Sequence, residues 1–313
     1  MSETKILITD ADAASRIDKL VARSTGLGRA AVKRLFEEGR VRVGRRKADK
    51  GETLPAGAEL TVTLGESLDE AALPDDSPLE TLLVRDDVVV VDKPPRRPTA
   101  PLRPGELGTI ANALVRRFPE VTGHGHNPRE PGLVHRLDND TSGVLLAART
   151  RAAWDELVEA MKAGRLHKRY LALVEDDDMP DSGTVDVPLA PHPKDQRRVL
   201  ACLHPRDVAR EKPRPARSDY RVLARGEGVA LVEVEAARAL RHQVRAHLAV
   251  LRCPILADTL YGAKPREGLD RHALHASRVA YEGGPVVAPF DVSSPLPDDL
   301  VAAAAAAGLQ VSK

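Results

Sequence analysis

Sulfur is scarce in this sequence. Among 313 residues there are two cysteines, Cys202 and Cys253, and no C-x-x-C pair. Two thiols cannot build a disulfide framework, and the paired-cysteine spacing of a zinc site is missing. No apolar run approaches the roughly 20 residues that span a bilayer. The opening MSETKILITDAD is polar and acidic, without the basic-then-apolar order of a secretory leader. These absences lead us to expect a soluble, cytoplasmic protein with no membrane contact. Net charge is nearly absent too: 47 Lys+Arg against 46 Asp+Glu leave +1. Taken alone, that figure argues against a nucleic-acid partner. No internal repeat is found.

What is present changes the picture. An apolar share of 42% is enough for real cores, and the length suggests about two domains. The charge is unevenly placed. Between Ser15 and Lys50 there are 12 Lys/Arg and four acids, a local +8; Glu66 to Asp87 has eight acids and Arg85 alone, a local −7. The whole-chain value is thus a cancellation of a basic head against an acidic connector. A charge run is commonly just a solvated face, and that reading stays open at this point. A second basic stretch, His192 to Arg217, holds eight Lys/Arg against three acids. With Pro191, Pro193, Pro205, Pro213 and Pro215 in and beside it, it reads as an extended loop rather than a helix.

Periodicity gives the elements. Ala30 to Phe36 has helical spacing and stops at Gly39. Val41–Val43 and Leu60–Leu64 alternate as short strands, with a turn at Pro55-Ala-Gly57. Gly65 to Pro78, acidic and broken by Pro74 and Pro78, reads as the linker. Beyond it, Val88–Val91, Val144–Ala148, Tyr170–Val174 and Val229–Val234 read as strands. Thr109–Phe118, Thr150–Gly164 and Gln243–Leu251 read as helices. Trp154, Leu157, Val158 and Met161 make one apolar stripe, expected to face the core. Ala302–Ala307 reads as a low-complexity helical tail.

The densest polar cluster between apolar runs is Gly132-Leu-Val-His135-Arg136-Leu-Asp138-Asn-Asp140-Thr141-Ser142-Gly143. A strand beginning after such a loop can hold a carboxylate in a fixed place for nucleophilic or acid/base work. Equally, Asp138 and Asp140 fit an ordinary Asx turn. A serine-hydrolase triad of His135, Asp138 and Ser142 lacks the G-x-S-x-G elbow. His124, His126 and His135 lack the H-E-x-x-H spacing of a zinc helix, so no metal is expected.

Taken together, the segments resemble a known family. The 132–143 cluster resembles the signature of RluA-type RNA pseudouridine synthases. Four further segments resemble that family's motifs, in its order: Val90-Val-Asp92-Lys93-Pro94-Pro95, Lys168-Arg-Tyr170-Leu-Ala-Leu-Val174, His242-Gln-Val-Arg245-Ala-His247-Leu, and Pro254-Ile-Leu-Ala-Asp258-Thr-Leu-Tyr261-Gly262. The head, from Ser15-Arg16-Ile-Asp18-Lys19-Leu20 to Val43, is similar to the ribosomal-protein-S-four-like (alpha-L) RNA-binding module.

The resemblance implies an α+β protein. Its parts are a small N-terminal α/β RNA-binding domain and a larger catalytic domain whose mixed, mainly antiparallel sheet is flanked by helices and loops. The boundaries expected are 1–65 for the head, 66–79 for an acidic linker, 80–300 for the catalytic domain and 301–313 for the Ala-rich tail. It implies isomerisation of uridine to pseudouridine in structured RNA, with ribosomal RNA the first expectation, by a monomer that needs no cofactor. Asp138 would be the nucleophile, Arg245 its partner and Tyr170 the face against uracil. Arg136 would fill the space left by the extruded nucleotide, as extrusion of the target base requires, and His135 would order the loop. Arg16, Lys19, Arg29, Lys33, Arg34, Arg40, Arg42 and Arg241 would contact RNA.

Four positions depart from the family pattern. Arg96 and Arg97 stand where K-P-x-G usually continues, and Asn139 stands where lysine is common. Arg238-Ala239-Leu240-Arg241 replaces T-G-R-T, and Ala257 replaces a glycine before Asp258. They support an alternative: a catalytically altered paralogue acting as an RNA-binding or ribosome-assembly factor.

Overall fold

The computed structural model describes residues 2–25, 27, 29–64, 71–176, 178–236 and 238–311. The chain divides into two units, 1–70 and 71–313.

In the first unit, β1 (Ser2–Leu7), β2 (Val41–Val43), β3 (Arg46–Lys47) and β4 (Glu59–Leu64) form an antiparallel sheet in the order β1-β4-β2-β3. Helices α1 (Ile17–Thr25) and α2 (Arg29–Glu37) lie on it. Ile17, Leu20, Val21, Val32, Leu35, Val41, Leu60 and Val62 make its core. Helix α2 stops where Gly39 takes φ +67 and Arg40 N–H donates to the Leu35 carbonyl, a left-handed C-terminal cap that glycine supplies without steric cost. Residues 65–70 of the expected linker lie outside the described residues. Residues 71–79 are held within the second unit: Asn112 donates to the Leu73 carbonyl, and Asp75 accepts from Gly108 and Ser77 backbone N–H groups.

In the second unit, the early elements are β5 (Glu80–Val84), β6 (Val88–Lys93), α3 (Ile110–Arg117), β7 (Ser142–Ala148), α4 (Arg151–Lys162) and β8 (Leu166–Glu175). Then come β9 (Ser182–Asp186), β10 (Leu189–Pro191), β11 (Val199–Ala201), α5 (Pro205–Glu211), β12 (Arg217–Arg225) and β13 (Val229–Glu235). The last are α6 (Gln243–Val250), β14 (Leu274–Tyr281), β15 (Phe290–Ser293) and α7 (Asp298–Ala305). Among the described residues nine strands form one sheet, β5-β6-β7-β14-β8-β13-β12-β9 with β15 on β14. Its pairs are antiparallel except β7 with β14. This is the mixed, mainly antiparallel sheet expected.

Strand β7 is buried at all seven positions, which explains its unbroken apolar run: a central strand meets protein on both faces. The α4 stripe packs inward as expected, with Leu157 and Val158 buried and Trp154 and Met161 half-buried against the core. The Ala-rich end also packs; Leu300, Ala304, Ala307 and Leu309 are buried in the same core.

The stretch His192–Arg217 departs from the extended loop expected of it. It contains β11, antiparallel to β10, and the helix α5. Proline does not oppose this helix, because Pro205 occupies its first turn, where a backbone N–H has no intrahelical partner. Pro213 and Pro215 fall after it.

Candidate active site

The loop before β7 is fixed by side chains from four other segments. Thr99 donates its hydroxyl to the Leu137 carbonyl (2.7 Å) and accepts from Leu137 N–H. Lys93, fully buried at the end of β6, donates to the carbonyls of Pro94, Arg97 and Asn139 at 2.8–2.9 Å. Arg271, gripped by both Asp299 oxygens, donates to the Asp140 carbonyl at 2.9 Å. Thr141 and Ser142 bond to His272 and His275 at 2.8 and 3.0 Å. Gly143 (φ +109) runs so close to β14 that a Cβ there would collide with the Ala276 backbone. Asp138 therefore sits in a turn whose neighbours on both sides are tied down. A carboxylate placed in this way loses little conformational entropy when it reacts.

Helix α6 brings the partner. Gln243 and His247, one turn apart, anchor it to β12: Gln243 donates to the Arg217 carbonyl and Ser218 hydroxyl, and His247 bonds the same hydroxyl at 2.9 Å. Arg245 reaches the loop instead. Its Nε and Nη2 donate to Asp258 at 2.7 and 2.8 Å, and its Nη1 donates to Asp138 Oδ2 at 3.0 Å. Asp258 is wholly buried, whereas the Asp138 side chain keeps 22% exposure. One guanidinium thus spends its fork on a structural carboxylate and offers its free edge to an accessible one. Burial opposes the Arg245 charge, but the bonds to Asp258 and the charges of Asp258 and Asp138 outweigh it, and its pKa is raised. The Tyr261 ring lies under the guanidinium, 5.1 Å from its carbon, a cation–π contact.

Tyr170, on β8, is buried. Burial, with the Asp138 charge adding to it, raises its hydroxyl pKa, so the phenol stays neutral. His242 precedes α6 and lies 3.7 Å from Asp138 Oδ2. Asp138, Arg245 and His242 therefore converge, with Tyr170 close enough to feel the Asp138 charge.

The other candidates are distributed differently. His135 turns into the core, where Nε2 accepts from Leu146 N–H at 3.2 Å. Burial, then the Lys168 charge, pulls its pKa down to about 3, which leaves the ring neutral and enclosed. Arg136 is exposed, and its guanidinium rests on Glu130 at 2.6 Å. Arg241 donates to the Gln196 and Arg197 carbonyls in the β10–β11 connection. In the first unit Arg16 pairs with Asp18, Lys33 with Glu37 and Arg40 with Glu38. Lys19 and Arg42 are exposed and Arg34 is half-buried. The Arg29 side chain lies outside the described residues. The hydrolase triad does not form: the Ser142 partner is His275, whose other nitrogen bonds the Ser294 carbonyl. Among the described residues, no cluster of three or more His, Cys, Asp or Glu is placed to hold a metal ion.

Lys93, Asp258, Tyr261, Arg271 and His272 carry the site's support, although sequence reasoning gives none of them a role. Lys93, Asp258 and Tyr261 lie inside family-like segments, which is the signal that could have found them. Arg271 and His272 have no such signal, because their partners are 131 residues away. Two departures have a backbone meaning. Arg96 and Ala257, at positions where the family has glycine, take φ +61 and +59, the left-handed region that favours glycine.

The chain is similar to known proteins. Residues 87–250 match the RNA pseudouridylate synthase family model. The chain is 31% identical over 308 residues to the ribosomal large subunit pseudouridine synthase D of Xanthomonas campestris, covering 94% of this chain and 89% of that protein. It is 33% identical over 308 residues to an uncharacterized RNA pseudouridine synthase of Mycobacterium bovis, covering 96% of each. Among solved structures it is similar to human RNA pseudouridylate synthase domain containing 4, with a TM-score of 0.58 and 25% identity over 75% of this chain and 95% of that one.

Proposed function

The chain belongs to the RNA pseudouridylate synthase family and is an RNA pseudouridine synthase, and from that premise we propose that it modifies large-subunit ribosomal RNA with Asp138 as nucleophile. The observation that carries the nucleophile is the ion pair at 3.0 Å between an accessible Asp138 and a buried Arg245 that Asp258 holds in place. The ribosomal target rests on the relatives whose name states it.

The reaction breaks the uridine C1′–N1 bond, turns the base and joins C5 to C1′; the C5 proton leaves and N1 gains one. Nothing is oxidised and no group is transferred, so the work falls on orientation and charge. Arg245 holds and aims the Asp138 carboxylate by donating to Oδ2 at 3.0 Å. Tyr170 offers a ring face and a neutral hydroxyl to the flipped uracil. Arg136, exposed and held by its Glu130 contact, exchanges that carboxylate for the gap left in the RNA stack. A catalytically silent RNA-binding paralogue is disfavoured by the complete Asp138–Arg245–Tyr170 set.

The first unit, in this reading, is the S-four-like module, and Lys19, Arg42 and their neighbours give salt-dependent attraction to phosphates. The protein acts as a cytoplasmic monomer; among the described residues no helix is long and apolar enough to cross a membrane. The test is to map pseudouridines in ribosomal RNA from a deletion strain and its parent. Loss of one or more large-subunit sites, restored by the wild-type gene and not by Asp138→Asn, is expected. An unchanged map overturns the ribosomal assignment.

A further inference from the structure

Asp138 faces a second donor that the roles above leave unused. His242, held at φ +54 directly before α6, sets its ring between Asp138 and Tyr261. Its Nε2 lies 3.7 Å from Asp138 Oδ2, and its Nδ1 lies 3.0 Å from the Tyr261 hydroxyl. The two rings meet edge to face at 5.8 Å.

The partners decide which nitrogen carries the proton. Val199 N–H donates to the Tyr261 oxygen at 2.9 Å, so that oxygen already serves as an acceptor. Among the described residues the hydroxyl proton has one acceptor in reach, His242 Nδ1. A ring nitrogen that accepts carries no proton, so in the neutral imidazole the N–H is at Nε2. That tautomer also turns an N–H, rather than a lone pair, toward the anionic Oδ2. The opposite one would leave the Tyr261 hydroxyl without an acceptor and set two lone pairs face to face.

The imidazole is neutral at physiological pH. Burial pulls its pKa down to about 4; Asp138 and Asp258 act against this, while Arg245 and Arg241 add to it. The same hairpin braces the residue from two directions. Val199 of β11 fixes Tyr261, and the connection between β10 and β11 receives the Arg241 guanidinium.

We propose that His242 is a positioning residue for Asp138: a neutral Nε2–H, its tautomer set by Tyr261, that acts beside Arg245 on Oδ2. Both donors then address one carboxylate oxygen. Oδ1, which has no hydrogen-bond partner among the described residues, is left as the oxygen that faces substrate. A neutral donor orients the carboxylate without adding a second cation, which would lower its basicity. At 3.7 Å the contact is longer than a hydrogen bond, and it tightens to about 3 Å when substrate seats, as catalytic contacts in free enzymes commonly do.

The inference rests on Asp138 being the nucleophile, so the test measures both. Single-turnover tritium release from 5-labelled uridine in a large-subunit RNA transcript is compared for wild type, Asp138→Asn, His242→Phe and His242→Gln. His242→Phe is expected to lose about 10²-fold in rate, the effect of one preorganised donor, with RNA affinity unchanged within about threefold. His242→Gln, whose amide N–H reaches the Nε2 position, is expected to recover about tenfold of that loss. Nitrogen-15 spectra of the wild-type protein at pH 7 are expected to show His242 protonated at Nε2 alone, and Tyr261→Phe to mix the tautomers. A fully active His242→Phe, equal losses in Phe and Gln, or a wild-type spectrum with the proton on Nδ1 would overturn the role of His242. An active Asp138→Asn would instead overturn the nucleophile. If His242→Phe does not fold, the wild-type spectrum decides.

Discussion

Arg245 is shared by two carboxylates, and their inequality is what makes the pair usable. Asp258 takes two of its donors in a buried fork, while Asp138 takes one and stays open to solvent. Lysine offers a single compact charge and cannot serve both. Arg245→Lys is therefore expected to lower the single-turnover rate at least about 10²-fold, with RNA affinity kept within about threefold. Equal loss of binding and rate would make Arg245 a phosphate contact instead. A second residue-scale expectation concerns backbone strain. Ala257 at φ +59 sits in a region that costs a non-glycine residue about 1–2 kcal/mol, against about 0.5–1 kcal/mol for the greater freedom of glycine when unfolded. Ala257→Gly is expected to raise stability by about 0.5–1 kcal/mol, read as a higher urea midpoint with an unchanged slope. A lower midpoint would contradict it.

The loop 132–143 is the most legible element in the sequence and also the most ambiguous. Its polar residues mark it, but nothing local separates a catalytic Asp138 from a turn-forming one. The deciding contacts come from Lys93, Thr99, Arg271, His272 and His275, each distant in sequence and joined to the loop by sheet topology. Lys93 is the clearest case. Burial brings its pKa down to about 7, with Arg271 and Arg97 adding to the fall and Asp140 and Asp138 opposing it. Removing it leaves the part-buried Pro94, Arg97 and Asn139 carbonyls without this donor, so Lys93→Met is expected to cost about 1–3 kcal/mol and to reduce turnover. The pH dependence has a definite sign. Because the folded value lies below the ordinary 10.5, the unfolded chain binds more protons between about 7 and 10.5, and the Lys93 contribution rises across that window. The stability lead of wild type over Lys93→Met should widen from pH 7 to 9.5 in urea titrations. A constant lead would show that Lys93 does not titrate there.

For the molecule as a whole, strands and helices with clear periodicity are readable: β6, β7, α3, α4 and α6 lie where their patterns put them, within a residue or two. What the pattern cannot supply is pairing. The parallel contact of β7 with β14, which sets Gly143 against Ala276, joins segments more than 130 residues apart. The hairpin β10–β11 and helix α5 are hidden by prolines that sit at tolerated positions. The net charge of +1 is the least informative quantity, since it averages the basic Ser15–Lys50 stretch of the first unit with the acidic Glu66–Asp87 stretch. If that unit is the RNA footprint, Lys19→Glu combined with Arg42→Glu should reduce the slope of log affinity against log salt by about 0.7–0.9 for each phosphate that is no longer neutralised. An unchanged slope would place the footprint elsewhere.

The central claim is that Asp138, held by Arg245, performs the isomerisation. It is tested most directly by single-turnover tritium release from 5-labelled uridine, comparing wild type with Asp138→Asn at equal RNA occupancy. The amide keeps the size of the carboxylate and removes its charge. Release by wild type with none above background from Asp138→Asn is the predicted result; release at the wild-type rate from Asp138→Asn would contradict it.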